Sequence, residues 1–108
     1  MTATFADLGV SARILTALAK SSIDAPVAVQ AEAIPPMLRG SDVVIQAPTG
    51  SGKTLAFMLP LVEKLMAVSG PGPRAMVVTP TRELAIQVER VFPSLSTHLT
   101  YDLIYGGV

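Results

Sequence analysis

The stretch 47–54, Ala-Pro-Thr-Gly-Ser-Gly-Lys-Thr, constrains the fold of this chain more than any other. The apolar run Val43-Val44-Ile45 comes just before it, and a helical pattern begins just after it, near Gly52. A strand, a glycine-rich turn and a helix N-terminus in that order form an anion cradle. Unpaired N–H groups at the helix start point at the ligand, and the helix dipole favours negative charge there. Gly50 and Gly52 let the backbone curl without a Cβ clash. In such a loop Lys53 reaches the β- and γ-phosphates of a nucleotide, and the Thr54 hydroxyl holds Mg²⁺. The general pattern opens on Gly where this chain has Ala47; the four-residue spacer, Gly52, Lys53 and Thr54 match it. The alternative reading is a glycine-rich turn joining strand to helix. The buried-strand lead-in, with Lys and Thr together, argues against it.

The chain around this loop reads as alternating strands and helices. Segments 42–47, 75–79 and 100–105 are apolar or alternating runs that predict three strands, the first buried on both faces. A helix is expected from about 53 to 66, with Pro60 kinking it, and another from the Thr81 cap to Pro93, which ends it. Leu84, Val88 and Val91 mark the buried face of the latter. Strand-helix-strand-helix-strand implies right-handed crossovers and a parallel sheet, an α/β fold. Ligands of such sheets sit beyond the carboxyl ends of the strands. Residues 47–54, 80–84 and the pair Gly106-Gly107 fall at those ends. Upstream, Ser11 caps a helix running to about Lys20, with Ile14, Leu15 and Leu18 on one stripe. A break at 22–26 follows, then a short helix over 27–34 stopped by Pro35-Pro36, a turn at 37–39, and an end at Gly40-Ser41. The expected organisation is a helical region over 1–40 and a nucleotide-binding part over 41–108, within one structural unit.

Composition narrows the class. At 108 residues the chain suffices for one small domain, and 50% hydrophobic with 15% charged residues is core-rich. Eight basic and eight acidic residues cancel, so any nucleic-acid contact must be local. The absence of cysteine excludes disulfides and thiolate metal sites, and the single His98 cannot build a metal site alone. No leader-like or membrane-spanning run is seen, so a cytoplasmic protein without membrane contact is expected. The methionines at 37, 58, 66 and 76 read as core filler, and Arg74 as a solvated charge.

Three further features bring in a family. Residues 80–85 spell Pro-Thr-Arg-Glu-Leu-Ala, and Gly106-Gly107 follows the next predicted strand. Pro26 and Gln30 keep a Pro-x-x-x-Gln spacing, and Phe5 lies 17 positions before Ser22. Together with the phosphate loop, in which the family commonly has Ala at the first position, this order strongly resembles the DEAD-box RNA helicases over nearly the whole chain. The resemblance implies a partial RecA-like, three-layer fold, with ATP and Mg²⁺ bound and ATP hydrolysis coupled to RNA unwinding. It implies nucleotide contacts from Phe5, Ile23, the backbone near Ala25, Gln30, Ala47, Thr49, Gly50, Ser51, Gly52, Lys53 and Thr54, with Lys53 and Thr54 catalytic and Thr54 on the metal. Gln30 resembles the family's adenine-reading glutamine: a carboxamide can accept from the exocyclic amine and donate to N7. Standing alone it would read as an exposed helix residue. The family has Gly and an aromatic where this chain has Ser22 and Ile23, so Ile23 offers only an apolar contact. Phe5 either supplies part of that contact or packs in the core. Pro80, Thr81, Arg82, Gly106 and Gly107 are implied as RNA-backbone contacts, with Glu83 orienting Arg82 or capping the turn.

The family's Asp-Glu-Ala-Asp string, its later Ser-Ala-Thr string and its second lobe do not occur in these residues. The chain is therefore expected to be the front part of the first lobe and to be inactive as a hydrolase alone. Two other readings remain open at this point: another superfamily-two helicase acting on DNA, and a non-catalytic nucleotide- or RNA-binding module. Oligomeric state is not legible.

Overall fold

Residues 3–68, 70–95 and 99–105 are described by the computed structural model. Gly106, Gly107 and His98 lie outside the described residues. Among the described residues there are four α-helices, preceded by one 3₁₀ turn, Ala6–Leu8. They are α1 (Ala12–Lys20), α2 (Ala28–Leu38), α3 (Lys53–Ala67) and α4 (Arg82–Leu95). Helix α3 is central and packs against α2 and α4, while α1 packs on α4. The core joins Phe5, Val10, Ile14, Leu18, Ile34, Met58, Leu59, Val62, Phe92 and Leu95. No helix among the described residues is long and apolar enough to cross a membrane.

The N-terminal lead is a folded turn. The Thr4 N–H donates to Asp7 Oδ2 at 2.9 Å, and the Asp7 N–H donates to Thr4 Oγ1 at 3.1 Å. The Thr4 backbone donor, then its hydroxyl, hold the Asp7 carboxyl below the usual carboxylate range. That contribution is present above the unfolded carboxylate pKa and is lost as pH falls through the lowered folded value. The turn carries Phe5 into the core, where it is 3% exposed.

Helix α1 starts as its sequence predicts. Ser11 is extended and its Oγ accepts from the Ile14 N–H at 3.4 Å, while its own N–H donates to Glu63 Oε1 on α3 at 2.8 Å. Glu63 is thus a tie between helices, where the helical pattern alone places it on a solvated face. The end of α1 is a Schellman motif: Ile23 N–H reaches Leu18 O at 2.9 Å and Ser22 N–H reaches Ala19 O at 3.1 Å. The motif needs a left-handed residue, and Ser22 supplies it at φ 60°. Helix α2 closes the same way, Ser41 N–H to Pro36 O and Gly40 N–H to Met37 O, both 3.0 Å, but with Gly40 at φ 93°. A Cβ in that conformation costs roughly 1–2 kcal/mol. Ser22→Gly is therefore expected to stabilise the fold by about 1 kcal/mol, read as a higher urea midpoint. A lower midpoint would mean that Ser22 makes a contact worth more than the strain.

Three prolines behave differently from expectation. Pro35 and Pro36 lie inside α2, which continues through the expected turn at 37–39 to Leu38, and Pro93 lies inside α4, which ends at Leu95. Each sits in the last two turns, so few helical N–H bonds are lost, and burial of Ile34 and Leu95 rewards the continued helix. Pro60 is fully buried in mid-α3 without ending it.

The three predicted strands are not paired. Segments 42–47, 75–79 and 100–105 form no strand among the described residues. Side chains nevertheless alternate in exposure over 42–47 and 102–105, while 75–78 are all exposed. Val44 is 97% exposed between half-buried Val43 and Ile45, and Ile104 is 89% exposed between half-buried Leu103 and Tyr105. The exposure of Val44 means that the first segment is not covered on both faces, and Met76 and Val78 are also exposed, so Met76 is not core filler. In α4, Phe92 and Leu95 take the buried positions, Val88 and Val91 pack partly against the core, and Leu84 is 41% exposed.

Candidate phosphate cradle and helix N-termini

The loop before α3 is built by two left-handed glycines. Gly50 has φ 82° and Gly52 φ 89°, and the Ser51 N–H closes a turn onto Pro48 O at 3.2 Å. Gly52 then delivers the chain into α3, its carbonyl accepting from the Ala56 N–H at 3.3 Å. The Lys53 side chain folds back across the loop and its Nζ donates to Ala47 O at 2.9 Å. The Ser51 hydroxyl is buried and has no hydrogen-bond partner. Thr54 is half-buried in the first turn, and Pro48, Thr49 and Gly50 are exposed.

Gln30 locks this loop to α2. It is 5% exposed, its Oε1 accepts from the Val27 N–H at 3.0 Å, and its Nε2 donates to Gly52 O at 3.1 Å. The first bond is half of a capping box; Val27, at the N-cap, has no oxygen to complete the other half. The fit is close: a Cβ added at Gly52 would lie 2.8 Å from Gln30 Nε2 and 2.8 Å from Val27 Cγ2. Gln30 is thus a buried bridge rather than an exposed helix residue.

Other expected nucleotide contacts fall elsewhere. Phe5 and Ile23 share a cleft of about 200 Å³ with Thr4, Ala6, Leu15, Leu18, Ala19 and Asp24. None of residues 47–54 lines it. Ala25 is exposed beside it in sequence. The structure therefore brings together Gln30, Ala47, Gly52 and Lys53 by direct bonds, and separately Phe5 with Ile23.

The second helix N-terminus belongs to α4. Thr81 Oγ1 accepts from the Leu84 N–H at 3.2 Å, the Thr81 carbonyl accepts from the Ala85 N–H at 3.1 Å, and Thr79 Oγ1 donates to that same carbonyl at 3.0 Å. Pro80, Thr81, Arg82 and Glu83 are all exposed. Arg82 lies over the Tyr105 ring, 4.8 Å from its centroid. Periodicity places Tyr105 in a strand and does not signal this contact. Arg74 is not merely solvated: its Nη1 donates to Leu65 O at 3.1 Å and to Val68 O, satisfying carbonyls at the end of α3.

A glycine-turned loop, a lysine and a helix N-terminus define a phosphate-loop class of protein, and comparison with known proteins gives the family. The DEAD/DEAH box helicase model matches residues 27–108. The chain belongs to the DEAD/DEAH box helicase family. It is 44% identical over 97% of its length to the ATP-dependent RNA helicase DeaD of Mycobacterium tuberculosis, covering 19% of that protein. It is 46% identical over 97% of its length to the ATP-dependent RNA helicase SrmB of Escherichia coli, covering 25% of it. Among solved structures, the RNA helicase Prp28 from Chaetomium thermophilum bound to ADP matches 94% of the chain with TM-score 0.86 and 35% identity, over 26% of that structure's chain. The likeness puts the fold in the RecA-like class of these helicases. The chain spans about a fifth to a quarter of the curated relatives described here.

Proposed function

We propose that this chain is the ATP-binding front part of the first RecA-like lobe of an RNA helicase, coupling ATP binding and hydrolysis to RNA duplex unwinding in the whole protein. The cradle carries the reading. Its buried, unpartnered Ser51 hydroxyl, its Lys53 ammonium held across the loop and the free end of α3 suit a chain of phosphates. Lys53 exchanges the Ala47 carbonyl for phosphate oxygens, and the N–H groups of the loop and first turn hold the phosphates in line. Thr54 suits Mg²⁺ through its hydroxyl. Bound ATP with Mg²⁺ supplies the transferable phosphoryl group and neutralises its charge. Gln30 reads adenine with the N–H and the lone pair that its two protein bonds leave over, helped by Ile23 and the Ala25 backbone, while Phe5 packs in the core.

The alternation of exposed and half-buried residues over 42–47 and 102–105 supports pairing of segments 42–47, 75–79 and 100–105 as a parallel sheet in the whole lobe, with Val44, Met76, Val78 and Ile104 facing a further layer. We read residues 1–40 as the helical adenine-reading region and 41–108 as the partial ATP-binding domain. Pro80, Thr81, Arg82, Gly106 and Gly107 form the RNA-backbone contact, supported by the exposed helix N-terminus and guanidinium. The cytoplasm suits such an activity.

One observation favours a second reading for these residues alone, a binding module without turnover. None of the eight acids stands at the end of a predicted strand after the loop. Glu63 is engaged by Ser11, Asp42 opens the first segment, and Asp102 lies inside the third. Phosphate release by the chain alone is expected at background, with or without RNA. Joined to the remainder of a helicase domain from a relative, it should release phosphate in response to RNA. A hybrid that binds ATP but ignores RNA would favour the binding module. RNA-dependent release by the chain alone would reveal a catalytic acid within these residues.

A further inference from the structure

Tyr105 meets Arg82 through a defined path of the chain. The 4.8 Å separation of the Arg82 Cζ from the ring centroid is within the roughly 6 Å reach of a cation–π contact. A second aromatic contact sits near the other end of α4, where the Phe92 and Tyr101 rings lie 4.8 Å apart and tilted by 52°. Residues 82 to 92 span about 15 Å of helix. The four steps from Tyr101 to Tyr105 cover at most about 14 Å. An extended run antiparallel to α4, from buried Phe92 to the helix's first turn, fits these two lengths. From Asp102 on the exposure alternates, Leu103 and Tyr105 being half-buried and Asp102 and Ile104 exposed, while Tyr101 stays 44% exposed beside Phe92.

We propose that Tyr105 is a positioning residue for Arg82 in RNA-backbone binding, an inference that rests on the reading of Thr81 and Arg82 as an RNA contact. A long arginine side chain on an exposed first turn loses rotamer freedom when it grips a phosphate. An aromatic face that already holds the guanidinium removes part of that loss before RNA arrives. The guanidinium bonds phosphate oxygens through its N–H edge, so contact of its face with a ring is compatible with binding. The Tyr101–Phe92 pair sets the register that brings the ring there.

The test is RNA binding by the full chain, followed by fluorescence anisotropy with a labelled single-stranded oligouridylate at several salt concentrations, with ATP affinity measured beside it. Arg82→Gln is expected to weaken binding and to reduce the log–log salt slope by about 0.7, one phosphate contact on a single strand. Tyr105→Phe is expected to bind as the unsubstituted chain does, and Tyr105→Leu about two- to fivefold more weakly with unchanged ATP affinity. The double variant Arg82→Gln, Tyr105→Leu should bind no more weakly than Arg82→Gln. If Tyr105→Leu also loses ATP affinity, Tyr105→Trp decides instead: tighter RNA binding supports the proposal and weaker binding overturns it. No RNA binding by the unsubstituted chain, or no effect of Arg82→Gln, overturns the RNA reading itself. A clear Arg82→Gln loss beside a fully competent Tyr105→Leu, or losses that add, overturns the assignment to Tyr105 alone.

Discussion

Lys53→Ala is expected to weaken ATP binding by roughly 2–4 kcal/mol, the cost of removing a charge-assisted contact to phosphate. The effect on folding should be much smaller. Lys53 is exposed, and the bond it makes is one hydrogen bond to the Ala47 carbonyl. Removing it leaves that carbonyl near water, so the net loss should stay at about 1 kcal/mol or less. Affinity by calorimetric titration and stability by urea unfolding should therefore separate. Equal affinity in the variant would take Lys53 out of the site. A large loss of stability would make it a structural strut of the loop.

The second large effect is expected at Gly52, on stability. Alanine there must adopt φ 89°, which costs roughly 1–2 kcal/mol. Its Cβ would also lie 2.8 Å from Gln30 Nε2 and from Val27 Cγ2. Relief requires Gln30 to withdraw from the Gly52 carbonyl, leaving a buried amide short of a partner at about 1–3 kcal/mol. The sum is roughly 2–5 kcal/mol, with α2 loosened from the cradle. Gly50 is the control: its φ is 82°, but nothing lies within 4 Å of an added Cβ. Gly50→Ala should show the strain alone. Equal urea midpoints for the two variants would mean that the Gln30 contact contributes nothing.

The parts legible in the sequence were those set by neighbours along the chain. Ser11 followed by Ile14 and Leu18 is a cap and a stripe within three turns, and α1 forms there as expected. The glycine-turned loop before α3 and the Thr81 cap are likewise local. What was not legible depends on distant partners. Pro35, Pro36 and Pro93 break helices by propensity, yet burial of Ile34 and Leu95 holds those turns. Arg74 looks idle until α3 ends beside it. Strand pairing is the extreme case, because an apolar run such as Val43-Val44-Ile45 specifies a face and not a hydrogen-bonding partner. The family resemblance implies a site role for Gln30, but only the fold shows that its amide already ties Val27 to Gly52. Ser22 shows a local demand met by an unfavoured residue, the left-handed end of α1 without glycine.

Adenine-nucleotide binding is tested by a pair of calorimetric titrations of the unsubstituted chain, one with ATP and one with GTP, both with Mg²⁺. The cradle predicts saturable binding of ATP. Gln30, with adenine's amine and N7 as its targets, predicts tighter binding of ATP than of GTP by roughly 1–3 kcal/mol. Binding of ATP with weaker GTP binding is the expected result; no saturable heat with either nucleotide, or equal affinity for both, would contradict the assignment of the cradle and Gln30 to ATP.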